Sequence, residues 1–295
     1  MKTLIIEIIE PIRLGELVTV SKAFCDTPDV VALGEGSLQG TYGKAYRTPE
    51  TIGANLVPNI ASLIEKEGYE VILLSATTVG TGLAGPLAVR LSAPLLSEVT
   101  ALTSDLIVER PLYGSKALAR YKIESKPVIL TIRRKYFERA ELEGTAETSE
   151  LPNCVERVRL LDEKEEEHEG IPLEDAEVIV TGGRGIGNAE NFSMLEEMAG
   201  FLTGAVGASR GAVDEGWMPP TAQIGQTGKI VAPSVYFAVG VSGASQHLAG
   251  IANAKCVVAI NKDEEANIFN RARFGIVSDY KKAVPALIDA LKEEA

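Results

Sequence analysis

Val178-Ile-Val-Thr-Gly-Gly-Arg-Gly-Ile-Gly187 is a short β-branched run that leads directly into a glycine-rich turn. Four more blocks of this kind follow before residue 264. They are Val206-Gly-Ala-Ser-Arg-Gly-Ala-Val-Asp214, Gln223-Ile-Gly-Gln-Thr-Gly-Lys229, Val239-Gly-Val-Ser-Gly-Ala-Ser-Gln-His-Leu-Ala-Gly250 and Val258-Ala-Ile-Asn-Lys-Asp263. Turns of this type expose backbone N–H groups that can close around phosphates or a cofactor ring. One block is weak evidence, but five in succession predict a cofactor site.

Strand-like and helical patterns alternate around these blocks. The predicted order is strand 176–181, a glycine loop, helix 190–202, strand 204–208, strand 230–239, helix 242–250, strand 256–261, helix 264–272, strand 274–278 and helix 280–293. This alternation predicts a doubly wound, Rossmann-like α/β domain, in which helices cover both faces of a parallel sheet. Ligands of such sheets lie at the carboxyl ends of the strands, where the glycine turns fall.

The N-terminal part shows the same alternation. Strands are predicted at residues 3–9, 30–33 and 70–76, and residues 95–135 are mostly strand-like with a turn at Tyr113-Gly-Ser115. A helix is predicted to open at Thr48, with Thr48 as its N-cap and Pro49 in the first helical position. We therefore expect residues 1–137 to form another doubly wound parallel-sheet domain.

A glutamate-rich segment separates the two predicted domains. Residues 138–172 contain the acidic run from Asp162 to Glu169, and the apolar stretch from Val155 to Leu161 could form one strand that crosses between the domains. Like charges in such a run repel one another and keep it solvated. We interpret residues 138–172 as an acidic linker, which leaves residues 173–295 as the C-terminal domain.

Composition excludes several classes of function. The formal net charge of −12 argues against nucleic acid or anionic lipid as a partner, since both require clustered positive charge. The apolar run at residues 1–10 is interrupted by Glu7 and is too short to span a membrane, so we expect no transmembrane segment. Three widely spaced cysteines and two histidines favour neither a disulfide framework nor a metal site. A reducing, cytoplasmic location is therefore expected.

The first glycine block nearly fits a dinucleotide fingerprint, because it follows a strand and precedes a helix. However, Gly183-Arg-Gly-Ile-Gly187 lacks the full G-x-G-x-x-G spacing. The next strand ends in Ser209-Arg210, where an NAD site would have an acidic residue for the ribose hydroxyls. An arginine there suits a 2′-phosphate, so an NAD(P)-dependent dehydrogenase is a rival hypothesis.

The later blocks favour a flavin over a nicotinamide. Gln226-Thr-Gly-Lys229 and Ser242-Gly-Ala-Ser-Gln-His247 supply hydroxyls, an amide, an imidazole and backbone N–H groups, which suit a flavin's ring edge and pyrophosphate. No paired carboxylates, Ser-His-Asp order or activated cysteine accompanies them. The pattern indicates an electron carrier and not an enzyme that acts on a second substrate.

Residues 178–291 resemble the FAD-binding domain of the electron transfer flavoprotein alpha-subunit family. The similarity is continuous from Val239 to Gly250, through Ala259-Ile-Asn-Lys-Asp263, to Phe274-Gly-Ile-Val-Ser-Asp279. The first domain resembles the family more loosely, at residues 73–80, 89–94 and 113–115.

The resemblance implies that FAD is the cofactor and assigns roles to particular residues. Arg184 would reach the pyrophosphate, and Arg210 would lie against the isoalloxazine beside Ser209. Thr227, with Gln226 and Gly225, would hydrogen-bond the reactive ring nitrogen and its neighbouring carbonyl, and His247 would donate to the carbonyl at the pyrimidine edge. Ser242 would bind phosphate, Asp279 the ribose, and Asn261 the adenosine half. The remaining residues expected at the cofactor are Ile224, Gly243, Ala244, Ser245, Gln246 and Tyr280.

The resemblance also implies partners. Members of this family act with a beta subunit, whose surface completes the flavin site. They carry electrons from flavoprotein dehydrogenases to an acceptor oxidoreductase or quinone reductase. Both a simple carrier and a subunit of an electron-bifurcating assembly fit the quoted residues.

Overall fold

Strand and helix alternate along nearly all of the chain in the computed structural model, which describes residues 1–113, 117–151, 156–162 and 170–294. The described residues divide into two compact units. One contains residues 1–112, 117–151 and 156–162, and the other contains residues 170–294. Each unit has its own hydrophobic core on both faces of a sheet.

The first unit is built on a seven-stranded parallel sheet in the order β10-β3-β2-β1-β4-β9-β5. Its elements are β1 (Thr3–Ile8), α1 (Pro11–Ser21), β2 (Asp29–Leu33), β3 (Ala45–Thr48), α2 (Gly53–Glu67), β4 (Val71–Ser75), α3 (Thr78–Leu91), β5 (Leu95–Val99), β6 (Ala101–Leu102), β7 (Ile107–Leu112), β8 (Ala117–Lys122), β9 (Val128–Ile132) and β10 (Ser149–Glu150). Strands β6, β7 and β8 form a separate antiparallel sheet.

Alternate residues of the central strands face two different cores. Leu4 and Ile6 of β1 pack with α2 and α3, whereas Ile5 packs on the opposite face with α1 and residues of the antiparallel sheet. Both faces of the sheet are covered, and the central strands are therefore almost continuously apolar.

The predicted helix start at Thr48 is wrong, because α2 begins five residues later at Gly53. Thr48 is the last residue of β3 and pairs with Leu33 of β2, which holds its backbone extended. The Glu50 carboxylate then accepts the N–H groups of Thr51 and Ile52 ahead of the helix. The strand pairing is a long-range contact that the local capping pattern does not reveal.

Part of the predicted acidic linker belongs to the first unit. Strand β10 pairs with β3, and the buried side chain of Asn55 holds a later segment. Asn55 Oδ1 accepts the N–H groups of Arg157 and Val158 at 2.7 and 3.0 Å. Residues 156–162 form no strand, so the hypothesis of a crossing strand is wrong for them. Val155 and residues 163–169 lie outside the described residues.

The second unit contains a six-stranded parallel sheet in the order β13-β12-β11-β14-β15-β16. Its elements are β11 (Val178–Gly182), α4 (Phe192–Phe201), β12 (Ala205–Ser209), α5 (Arg210–Asp214), β13 (Gln223–Ile224), β14 (Val235–Val239), α6 (Ser245–Gly250), β15 (Cys256–Asn261), β16 (Phe274–Val277) and α7 (Tyr280–Glu294). This is the strand order of a Rossmann sheet. Successive strands are added first on one side of β11 and then, from β14 onward, on its other side. The predicted doubly wound α/β fold is confirmed.

Two predicted elements of the second unit are wrong in extent. Residues 264–272 form only a 3₁₀ turn at Asn267–Asn270, where Ile268 N–H donates to the carbonyl of Ser242. The strand predicted over residues 230–239 begins at Val235, because Val231 N–H donates to Gly250 instead of to a neighbouring strand. Tertiary contacts override the local pattern in both places.

Candidate functional site

The candidate site lies where the strand order of the second sheet reverses. The turns after β11 and β14 touch there: Gly183 N–H donates to the carbonyl of Val239 at 2.9 Å, and Gly185 N–H donates to Gly240 at 3.0 Å. A Cβ atom on Gly183 would lie 2.2 Å from the Gly240 carbonyl oxygen, so this approach requires glycine. The contact lies where the strand order reverses, which is the ligand-binding edge of an α/β sheet.

Two adjoining clefts open at this edge, with volumes of about 600 and 320 Å³. They share Gly185, Gly240 and Asn261 as lining residues. The larger cleft is lined by the predicted residues Arg184, Ser209, Arg210, Ile224, Gly225, Gln226, Thr227, Ser242, Ala244, Gln246, His247 and Asn261. The smaller cleft is lined by Asn261, Asp279 and Tyr280. Residues that are far apart in sequence are thus brought together as expected.

Two predicted residues, Gly243 and Ser245, line neither cleft. Gly243 is buried with φ of 81°, and a Cβ atom there would lie 2.2 Å from the backbone nitrogen of Ile268. Its role in the structure is to let two loops approach each other. Ser245 is the exposed first residue of α6.

Backbone hydrogen bonds fix the turn that follows β13. Gln226 N–H donates to the carbonyl of Gln246 at 2.8 Å, which ties this turn to helix α6. The side-chain amide of Gln223 donates to Thr227 Oγ1 at 3.1 Å. Lys229 closes the turn and pairs with Glu174. The hydroxyl of Thr227 is therefore held at the wall of the larger cleft.

Two arginines supply positive charge to the larger cleft. The Arg184 side chain lies across Gly211, since a Cβ atom on Gly211 would come within 2.7 Å of its Cγ atom. Arg210 is the first residue of α5, and its Nε lies 3.4 Å from Oδ2 of Asp214. Both side chains of this ion pair are more than 60% exposed, so the pair contributes about 0–1 kcal/mol to stability. An anionic ligand in the cleft can compete for the guanidinium.

His247 is the most deeply buried ionisable group in the wall of the larger cleft. Its Nε2 lies 2.9 Å from the hydroxyl of Tyr236, whose side chain is fully buried in β14. Burial lowers the pKa of His247 from 6.5 to about 4, and a hydrogen bond with the backbone of Ile224 opposes this shift. His247 Nδ1 is also buried and has no hydrogen-bond partner of normal geometry among the described residues. The imidazole is therefore neutral at neutral pH, and its polar neighbours in the protein are the Tyr236 hydroxyl and the backbone of Ile224.

The side chains of the smaller cleft are largely engaged in holding its loops. Tyr280 donates its hydroxyl to the carbonyl of Ile186 at 2.7 Å, which ties α7 to the first glycine turn. Asn261 donates to the carbonyl of Val241 and accepts the N–H of Asp263. Asp279 is exposed and accepts Lys281 N–H with one carboxylate oxygen. Asn261 and Tyr280 thus shape the cleft, and Asp279 offers it a carboxylate.

Sequence reasoning missed several lining residues. Gln223, Asp263, Glu265 and Asn267 line the larger cleft, and Asn188, Asn191 and Lys281 line the smaller one. Asp263 and Gln223 lie inside the quoted glycine blocks, so the blocks themselves were the signal. Tyr236 has no such signal, because it occupies an ordinary strand position.

Both units match models of a single protein family. Residues 49–155 match the electron transfer flavoprotein domain, and residues 172–252 match the electron transfer flavoprotein FAD-binding domain. The electron transfer flavoprotein subunit alpha of Thermoanaerobacterium thermosaccharolyticum is 40% identical over 245 residues, which cover 79% of this chain and 74% of that protein. The Pseudomonas aeruginosa subunit alpha is 40% identical over 250 residues, with 84% and 79% covered. Protein FixB of Clostridium saccharobutylicum is 37% identical, with 79% and 73% covered.

The chain belongs to the electron transfer flavoprotein alpha-subunit family. The matched FAD-binding domain contains every predicted site residue except Asn261, Asp279 and Tyr280, which lie beyond residue 252. FAD is therefore the cofactor of this domain, and electron transfer is the activity of the family.

The residues present fit an FAD of this family. The imidazole of His247 lines a cleft that also presents two guanidinium groups and the hydroxyls of Thr227 and Ser242. This donor-rich set suits the carbonyl-bearing ring edge and the pyrophosphate of a flavin nucleotide. The part of the chain that the structure describes has no group of three or more metal-binding side chains. It also contains no helix that is both long and apolar enough to cross a membrane.

Proposed function

We propose that FAD binds along the two clefts of the second unit, with its isoalloxazine in the larger cleft between Arg210 and His247. The observation that carries this proposal is the convergence of two guanidinium groups, the hydroxyls of Thr227 and Ser242 and the imidazole of His247 on one cleft. Arg184 and Ser242 bind the pyrophosphate, and the exposed carboxylate of Asp279 binds ribose hydroxyls in the smaller cleft.

FAD, when bound, supplies reversible one- and two-electron transfer. The protein residues set the conditions for it. Arg210 places a positive charge near the ring, His247 provides a neutral polar contact at its edge, and the hydroxyl of Thr227 provides another. None of these groups is arranged to activate a second substrate, which supports a carrier role over an enzyme role.

We propose that the chain works with a beta subunit and carries electrons from flavoprotein dehydrogenases to an acceptor oxidoreductase or quinone reductase. The relatives' designation as subunit alpha supports the need for a second subunit. Within this proposal, residues 1–137 form a scaffold and subunit-interface domain to which residues 138–172 add strand β10, and residues 173–295 form the FAD-binding domain. The alternative of an NAD(P)-dependent dehydrogenase predicts hydride transfer without a bound yellow chromophore.

The deciding experiment is to purify the chain together with its beta subunit and to measure the visible spectrum, the extracted FAD and the extracted AMP. One FAD per heterodimer together with AMP, and no second flavin, supports a simple carrier. Two FAD molecules without AMP support an electron-bifurcating assembly, which NADH reactivity would then test. A colourless complex without extractable FAD contradicts the proposal.

A further inference from the structure

We propose that the buried side chain of Asn55 in α2 is a clamp that fixes residues 157–158 to the first unit, and that this clamp determines where the chain leading to the second unit begins. The clamp is a conformational device within the first unit. It does not depend on the proposed FAD site, so the two can fail independently.

The first step is the hydrogen bonding of the Asn55 amide, whose residue is 1% exposed. Asn55 Oδ1 accepts the N–H groups of Arg157 and Val158 at 2.7 and 3.0 Å, and Nδ2 donates to the carbonyl of Val158 at 2.8 Å. Nδ2 also donates to the Glu50 carboxylate at 2.7 Å. A side-chain amide has two donor hydrogens and two acceptor lone pairs, and all four are used here. Three of these four bonds hold a single segment that lies 102 to 103 residues away along the chain.

The second step is the orientation of this amide, which Glu50 fixes. An ionised carboxylate only accepts hydrogen bonds, so the group of Asn55 that faces it must be the NH₂ group. Glu50 is itself held in place, because its other oxygen accepts the N–H groups of Thr51 and Ile52 ahead of α2. Asn55 Oδ1 is therefore directed toward residues 157–158 whether or not that segment is bound.

The third step is the lack of apolar anchorage in the segment itself. All of the described residues from 156 to 162 are exposed. Their other polar contact within the described part of the chain is the local ion pair of Arg159 with Glu156, which is exposed and contributes little. The bonds to Asn55 therefore hold the segment. In turn, a buried amide is costly unless it is paired, so Asn55 depends on the segment.

The clamp shortens the chain that connects the two units. Among the described residues, Leu151 is the last one buried before the clamp, in a core of the first unit, and Leu173 is the first one buried after it, in a core of the second. Without the clamp the connection would comprise residues 152–172, and with it only residues 159–172. At about 3.5 Å per residue, the greatest distance that this chain can span falls from about 75 Å to about 50 Å.

The test is amide hydrogen exchange of the full chain, resolved to single residues by fragmentation mass spectrometry. We expect the N–H groups of Arg157 and Val158 to exchange at least about tenfold more slowly than those of an unprotected peptide. Asn55→Leu removes the clamp but keeps a helix-forming residue in α2. We expect this variant to exchange both amides within about twofold of the unprotected rate. Retained protection of the β1 amides shows that the variant is folded.

Trypsin cleavage after Arg157 provides a second readout. The protease requires a free backbone on both sides of the bond that it cuts, and the clamp holds the N–H groups of both residues that form this bond. Cleavage therefore follows the fraction of molecules in which the clamp is open. We expect the cleavage rate after Arg157 to rise by about tenfold or more in Asn55→Leu.

Ser62→Ala is the matched control, because Ser62 lies in the same helix and donates its hydroxyl to the carbonyl of Pro58 within that helix at 2.9 Å. It should leave exchange and cleavage at Arg157 unchanged. Unprotected amides in the wild type, or retained protection in a folded Asn55→Leu, overturn the proposal. Should Asn55→Leu not fold, Val158→Pro removes one of the clamped N–H groups from an exposed residue and leaves the cores unchanged. Protection of the Arg157 amide that persists in Val158→Pro then overturns the proposal.

Discussion

At the scale of single residues, the burial of His247 couples folding to pH. Its pKa is about 4 in the folded chain against an ordinary 6.5, so the unfolded chain binds a proton more readily between these values. The contribution of His247 to stability is complete above pH 6.5 and is lost as the pH falls toward 4, by up to about 1.4 kcal/mol per pH unit. We expect His247→Gln to reduce this acid sensitivity in the second unit. Denaturant unfolding of the FAD-free chain between pH 7 and 4.5 measures how the free energy of unfolding depends on pH. An equal pH dependence in the wild type and in His247→Gln would contradict this expectation.

Arg210 offers a second test at this scale. Removal of a positive charge beside a flavin should make its reduction harder, because the charge favours the electron-rich state. We expect Arg210→Ala to lower the reduction potential of bound FAD by an amount on the order of 50 mV, since solvent screens this exposed side chain. Spectroelectrochemistry on the complex with the beta subunit measures the shift.

The ion pair of Arg210 provides the control for this measurement. Asp214→Asn removes the same pair but keeps the arginine, so its stability change should equal that of Arg210→Ala within about 1 kcal/mol. Its potential should not fall. If both variants lower the potential equally, the ion pair and not the positive charge is responsible.

The sequence predicted which polar residues gather at the site, because glycine turns after parallel strands meet at one sheet edge. It did not predict the partner of His247. Tyr236 occupies an ordinary alternating position in β14, and nothing local links it to a histidine eleven residues later. The hydrogen bond from the Tyr280 hydroxyl to the Ile186 carbonyl also depends on tertiary packing, so the sequence did not predict it either.

At the scale of elements, the contact between the turns after β11 and β14 is a test of how the site is built. Gly183→Ala would place a methyl group 2.2 Å from the Gly240 carbonyl oxygen and should force the turns apart. We expect a loss of about 1–3 kcal/mol in the stability of the second unit and weaker FAD binding. Urea unfolding and FAD titration measure the two effects.

Helix α4 supplies the matched control for this glycine. Gly200 lies within it, and a Cβ atom there would meet nothing within 4 Å. Gly200→Ala should therefore stabilise the same unit by about 0.5–1 kcal/mol, because alanine favours helix. Destabilisation by both substitutions would show that the loss at Gly183 is not specific to the contact between the turns.

Element boundaries show where local patterns fail. Thr48 and Pro49 have the residue types of a helix start, yet pairing with β2 keeps Thr48 extended. Residues 264–272 have helical spacing, yet a hydrogen bond from Ile268 to Ser242 limits them to a single turn. The strongly apolar strands β1, β2, β4 and β15, by contrast, were predicted closely because burial leaves an unambiguous pattern.

At the scale of the whole molecule, the two units have separate cores and should respond separately to FAD. Trp217 is the only tryptophan of the chain and packs against the core of the second unit, so its fluorescence reports that unit alone. FAD at 100 times its Kd should stabilise the Trp217-detected transition by about 2.7 kcal/mol. Far-UV circular dichroism should show, in addition, the unfolding transition of the first unit, and FAD should not shift the midpoint of that transition. One coincident transition that shifts as a whole would contradict independent unfolding.

The hydrogen bond from Tyr280 to Ile186 has a consequence for biosynthesis. It spans 94 residues and connects the first glycine turn of the second unit to helix α7. While a ribosome is still translating residues before Tyr280, the emerging turn lacks the side chain that holds it. We therefore expect cofactor loading to be a late event, which begins only after helix α7 has left the ribosome.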